Sequence, residues 1–62
     1  MKHKFRLVKK SNGKLKIQKK NWFFYEIAPG SYEEYDNTQS CLDYIHENYN
    51  KNECEIKYDK EW

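Results

Sequence analysis

From Lys4 to Ile27 the chain reads KFRLVKKSNGKLKIQKKNWFFYEI, and its period constrains the fold more than any other feature does. Phe5 and Leu7 alternate with Lys4 and Arg6. Leu15 and Ile17 alternate with Lys14, Lys16 and Gln18. Period-two alternation marks strands with one buried face. Between the two runs lies Ser11-Asn12-Gly13. A two-residue Asn-Gly turn would set Leu7 and Ile17 on opposite faces. A three-residue loop with Gly13 in the left-handed region pairs Lys10 with Lys14 and sets Leu7 beside Ile17. A one-residue slip inverts every side chain, so the apolar pattern selects the three-residue loop.

The same reasoning at the next corner predicts a second three-residue loop, Lys19-Lys20-Asn21, with Asn21 left-handed, a conformation Asn tolerates. Gln18 then pairs with Trp22, and Ile17 lies near Phe23. One face of the resulting antiparallel meander collects Phe5, Leu7, Leu15, Ile17, Phe23, Tyr25 and Ile27. The other collects Lys4, Arg6, Val8, Lys10, Lys14, Lys16, Gln18, Trp22 and Phe24. The first reads as a core and the second as a basic surface edged by aromatics.

Downstream, Ala28-Pro29-Gly30-Ser31 is a turn signal, with Pro and Gly placed as a type II turn requires. Residues 31–36 read either as a connector or, through the Ser31/Glu34 capping box, as a helix start. The connector is favoured, because Asp36-Asn37-Thr38 is the stronger capping cluster. A helix is expected from Thr38 to Tyr49, with Cys41, Leu42, Ile45 and Tyr49 on one stripe. The run Asn48 to Asn52 ends it. Cys54, Ile56 and Tyr58 then alternate with polar residues as a fourth strand, and Trp62 could fold back over a core edge or a partner. The helix stripe needs an apolar sheet to cover. This gives a single two-layer α+β domain over residues 1–62, β-β-β-α-β, with an antiparallel meander, one helix on one face and a C-terminal fourth strand. That strand pairs either parallel to the first, in the order 4-1-2-3, or on the opposite edge.

Charge divides the chain. Residues 1–22 hold nine cations and no acid, whereas residues 23–62 hold three cations and all ten acids, within a net charge of +2. Such asymmetry points to an anionic partner, nucleic acid or an acidic protein surface, or else to attraction between the two parts within the fold or between copies. Sixty-two residues bury only roughly 60% of their unfolded surface, so stability is thin. Eleven aromatics nevertheless argue for folding over disorder. No apolar run approaches the roughly 20 residues of a membrane span, and the N-terminus has no signal-peptide pattern, so the expected location is cytoplasmic and no membrane partner is expected. Cys41 and Cys54 make no disulfide framework and are expected to be reduced.

Catalytic chemistry finds no foothold. His3, Cys41, His46 and Cys54 have no metal-ligand spacing. Cys41 and His46 point in different directions on a helix, out of nucleophile–base reach. Paired acids such as Glu33-Glu34 read as solvated surface. The expectation is a non-enzyme without metal or cofactor. The constellation that remains is a nucleic-acid surface, with Lys4, Arg6, Lys10, Lys14, Lys16 and Lys20 to neutralise phosphates and Trp22 and Phe24 to stack on bases. The competing reading buries Trp22 and Phe24 under the C-terminal segment or in a dimer. A monomer or weak homodimer is expected.

The Asn12-Gly13-Lys14 turn, the aromatic third strand, and Tyr35-Asp36-Asn37-Thr38 ahead of Leu42 and Ile45 resemble the arm-type DNA-binding domains at the N-termini of phage tyrosine integrases, over residues 4–49. In that family a three-stranded sheet enters the major groove, which implies Arg6, Lys14, Lys16 and Lys20 as contacts. The chain departs from the family at Leu42, where a small residue is usual, in its fourth strand, and in carrying no catalytic domain. Its richness in Lys, Asn and Tyr is similar to that of small accessory proteins of AT-rich phages, some of which block host or defence enzymes. That likeness implies a protein-interaction module that binds and inhibits such a target.

Overall fold

The computed structural model describes residues 2–60. Trp62 therefore lies outside the described residues. Four strands and one helix follow in the order β1 (His3–Lys9), β2 (Leu15–Asn21), β3 (Phe24–Ile27), α1 (Thr38–Asn48) and β4 (Cys54–Lys60), with a single 3-10 turn at Lys51–Glu53 before β4. The sheet runs β3-β2-β1-β4. The three-stranded meander is antiparallel, but β4 joins β1 in parallel, so the sheet as a whole is mixed.

The first corner forms as the apolar pattern requires. Leu7 faces Ile17 and Lys9 faces Leu15. The Lys10 N–H donates to the Lys14 carbonyl, the Gly13 N–H to the Lys10 carbonyl, and Gly13 takes φ +86°. The Asn12 side chain accepts from the Lys14 N–H and fixes the loop from within.

The second corner does not follow the expected register. Asn21 pairs with Phe24 and Gln18 with Ile27, which leaves a two-residue turn, Trp22-Phe23, with Trp22 at φ +59°. Every side chain of β3 is thereby inverted relative to the expectation. Phe23 and Ile27 are exposed instead of buried. Tyr25 crosses to the side away from the helix, where the Arg6 guanidinium lies 4.3 Å from its ring centre. Phe24 leaves the basic face for the helix side but remains 57% exposed. Trp22, in the turn, belongs to neither face.

The physical reason lies in what fills the core. The place beside Leu15 expected for Tyr25 is taken by Tyr35, which forms an isolated bridge with Leu15 through two backbone hydrogen bonds of 2.6 and 2.9 Å. The place beside Ile17 expected for Phe23 is taken by Ala28, whose N–H donates to the Ile17 carbonyl. A small residue there lets the helix close down. Phe5, Leu7, Ile17, Ala28, Tyr35, Cys41 and Ile45 form one buried cluster, edged by Leu15, Leu42, Tyr44, Tyr49, Cys54 and Ile56. Two large rings under an 11-residue helix would overfill that space.

The remaining elements follow their local chemistry. At Ala28–Ser31 the Ser31 N–H and hydroxyl both donate to the Ala28 carbonyl, with Gly30 at φ +80°. Residues 31–36 are a connector without a helix. Asn37 caps α1, its side chain accepting from the Ser40 N–H at 2.9 Å. Tyr49 ends the helix in an extended conformation, its ring 5.0 Å from that of Phe5 and 4.8 Å from that of His3. No helix among the described residues is long and apolar enough to cross a membrane.

Candidate nucleic-acid interface

The antiparallel register of β1 and β2 places Arg6, Val8 and Lys16 on the side of the sheet away from the helix, and its alternation carries Lys4 and Lys20 there too. Lys10 and Lys14 share that parity at the first corner. The expected basic face therefore exists in the backbone. Its charge is distributed in a way that alternation alone does not reveal.

At the first corner the acidic connector folds back over the lysines. The Lys10 ammonium donates to the Glu34 carboxylate at 3.0 Å, and the Asn12 amide donates to the same oxygen. The Lys14 ammonium donates to Asp36. Hydrogen bonds from Asn12 and then Lys10 hold the Glu34 carboxyl below its ordinary range. The hydrogen bond to Asp36, and then its charge, push the Lys14 ammonium up. In the middle of the face Arg6 is held from three sides. Its guanidinium donates through Nε and Nη2 to the Gln18 side-chain oxygen, covers Tyr25, and sits 4.0 Å from the Asp59 carboxylate. Glu55, Lys57 and Asp59 enter this side with β4, beside Lys4, Arg6 and Val8. Part of the charge asymmetry is thus satisfied inside the fold, as attraction between the two halves of the chain anticipates.

The opposite end of the sheet differs. Lys2, His3, Lys4, Lys19, Lys20 and Trp22 line an open concavity with no carboxylate among its described lining residues, while Glu55 borders Lys4 and Lys20 on the adjoining surface. Among the described residues none of these four lysines forms an ion pair. Cross-strand geometry sets Glu26 beside Lys19, but the Glu26 carboxylate accepts from the Asn21 amide. The Trp22-Phe23 turn projects from this end, with Trp22 81% and Phe23 92% exposed. The two rings are 6.5 Å apart and tilted by 48°, so Phe23 does not lie flat on the indole.

Of the residues expected from sequence, Lys4, Lys20 and Trp22 come together here. Lys10 and Lys14 are engaged by acids at the far corner, Arg6 is enclosed mid-face, and Lys16 lies between them. Phe24 adjoins the tip from the helix side. Lys2, Lys19 and Phe23 join the site without having been singled out. For Phe23 a signal was present: three consecutive aromatics after Lys-Lys-Asn cannot all enter one face of a strand, and a turn through Trp22 and Phe23 exposes both. Among the described residues no three His, Cys, Asp or Glu side chains gather where a metal ion could be held. No family model matches the chain, and no curated protein or solved structure matches it either.

Proposed function

We propose that the chain is a small non-enzymatic module that binds nucleic acid through the open, lysine-lined end of its sheet. The observation that carries this reading is the contrast in pairing: Lys2, Lys4, Lys19 and Lys20 line one concavity and form no ion pair among the described residues, while Lys10 and Lys14 are neutralised at the other end. Lysines without internal ion-pair partners can neutralise phosphates and so release the counterions condensed on the nucleic acid, which makes association strongly salt-dependent. The test is binding of short DNA and RNA oligonucleotides at low and moderate salt. Affinity that falls linearly on a log–log plot supports the reading, and no binding at low salt removes it.

The exposed tip favours a second reading, a protein-interaction module of the kind used by phage inhibitors of host or defence proteins. Trp22, Phe23 and Phe24 form a projecting apolar point, and buried aromatic anchors dominate many protein interfaces. A stoichiometric protein partner that survives nuclease treatment in a pull-down, and is lost with Trp22→Ala, would favour this reading over the first.

A further inference from the structure

We propose that the nucleic acid taken by this module is an unpaired strand, whose phosphates lie along Lys4, Lys19 and Lys20 while a base stacks on Trp22. This rests on the nucleic-acid reading and narrows it to one form of the ligand.

Three observations separate a single strand from a duplex. First, stacking needs an accessible ring face. The Trp22 indole is 81% exposed and its neighbour Phe23 is tilted away from it, so a base can lie flat on the indole. In a duplex the base faces are already covered by one another, whereas an unpaired base offers its face without that cost. Second, the lysines sit beside the ring. Trp22 and the lysines line the same concavity, which is the pairing of electrostatic groove and stacking platform that single-strand binders use. Third, the surface a duplex would need is compromised. A sheet laid in the major groove presents its broad face to two phosphate backbones. Here β4 brings Asp59 onto the middle of that face beside Val8 and Glu55 onto its end beside Lys4, and Arg6 is occupied by Gln18, Tyr25 and Asp59. A duplex laid across the face meets both acids, whereas a strand at the Trp22 end meets Glu55 alone. Carboxylates facing phosphates repel them.

The backbone agrees with a purpose for the side chain. A bulky residue at φ +59° is an outlier in a position that glycine fills without strain. Trp22 holds that position while its ring contributes nothing to the buried cluster.

The experiment uses the full chain with Trp62→Phe, which leaves Trp22 as the single tryptophan. It is titrated with a thymidine 12-mer, with a duplex of the same length, and with vesicles of mixed phosphatidylcholine and phosphatidylglycerol. Binding is read by anisotropy of the labelled oligonucleotides, by vesicle sedimentation and by indole emission. The inference expects the single strand to bind at least about tenfold more tightly than the duplex and to quench Trp22. Trp22→Ala and Trp22→Gly should each weaken single-strand binding about tenfold, the scale of one base–aromatic stack. Trp22 is exposed, and thermal melts confirm that the variants fold. Equal affinity for both forms with no effect of Trp22 overturns the single-strand inference while leaving nucleic-acid binding intact. No binding of either nucleic acid overturns both. Vesicle binding with a blue-shifted indole and no oligonucleotide binding assigns the tip to a lipid surface instead.

Discussion

The two ends of the meander use similar residues to opposite effect. Each corner follows or contains a pair of lysines, and each turns through a residue at positive φ, Gly13 at one end and Trp22 at the other. At the first corner an acidic connector, pinned by the Tyr35–Leu15 bridge, lays Glu34 and Asp36 against Lys10 and Lys14. At the second corner Glu55 neighbours Lys4 and Glu26 neighbours Lys19 across the strands, but among the described residues neither pair closes into a salt bridge, and the turn exposes aromatic rings. The difference teaches that a charge run has no fixed meaning. Whether lysines are structural or available depends on where a neighbouring segment is anchored, and one buried tyrosine decides that here.

The largest expected effect divides the two ends by charge reversal. Lys4→Glu with Lys20→Glu should weaken oligonucleotide binding about a hundredfold and flatten the salt slope by roughly 0.7 for each lysine removed, for a single strand. Lys10→Glu with Lys14→Glu should change binding only a few-fold, and anisotropy titrations at several salt concentrations make the comparison. Equal losses from both pairs would break the distinction between the ends.

Next is a difference in sign at the two turns. Gly13→Ala adds a Cβ that meets no atom within 4 Å, so its cost is backbone strain alone, about 1 kcal/mol. Trp22→Gly removes the same kind of strain and should leave stability unchanged or raise it. Chemical denaturation measures both. Loss of stability in Trp22→Gly would mean that the indole packs on the fold after all.

A smaller effect comes from releasing the neutralised end. Glu34→Gln with Asp36→Asn frees Lys10 and Lys14 and should increase oligonucleotide affinity a few-fold, with a slight loss of stability, since exposed pairs contribute little. The pH dependence of stability is the finest test. Because the Glu34 carboxyl is held below its ordinary range, its contribution is present at neutral pH and disappears as pH falls through that lowered value. On the alkaline side burial moves the Cys41 thiol from the ordinary 9.0 to about 11. The unfolded thiol ionises first, so stability should decline as pH rises from 9.0 towards about 11. Lys14, pushed up by Asp36, acts in the same direction at still higher pH. Thermal melts of the wild type and of Cys41→Ala separate the Cys41 contribution from those of Lys14, Tyr44 and Cys54, which are also raised.

The sequence carried much of the architecture. The Leu7–Ile17 register, the Asn37 cap and the helix from Thr38 follow from local periods and caps, because each is set by nearby residues, whereas the parallel docking of β4 on β1 joins residues 3–9 to 54–60 and was one of two placements the sequence left open. The second corner was not legible by parity. Phe23, Tyr25 and Ile27 alternate as core residues would, and nothing local announces that Tyr35 and Ala28 occupy their places instead. The basic face was readable as a face, but its neutralisation by Glu34, Asp36 and Asp59 was not, since those partners arrive from distant segments. Of the aromatic tip, Trp22 and Phe24 read as exposed stacking residues, and Phe23 alone reads as core, because its parity matches Ile17 under the expected register.

The most direct test of the central claim is a map of amide chemical-shift changes as the labelled chain is titrated with a thymidine 12-mer at low salt. The account predicts changes concentrated at Lys2–Lys4 and Lys19–Phe24, with Lys10–Lys14 and the connector undisturbed. Changes centred on Lys10–Lys14, or none at either end, would contradict it.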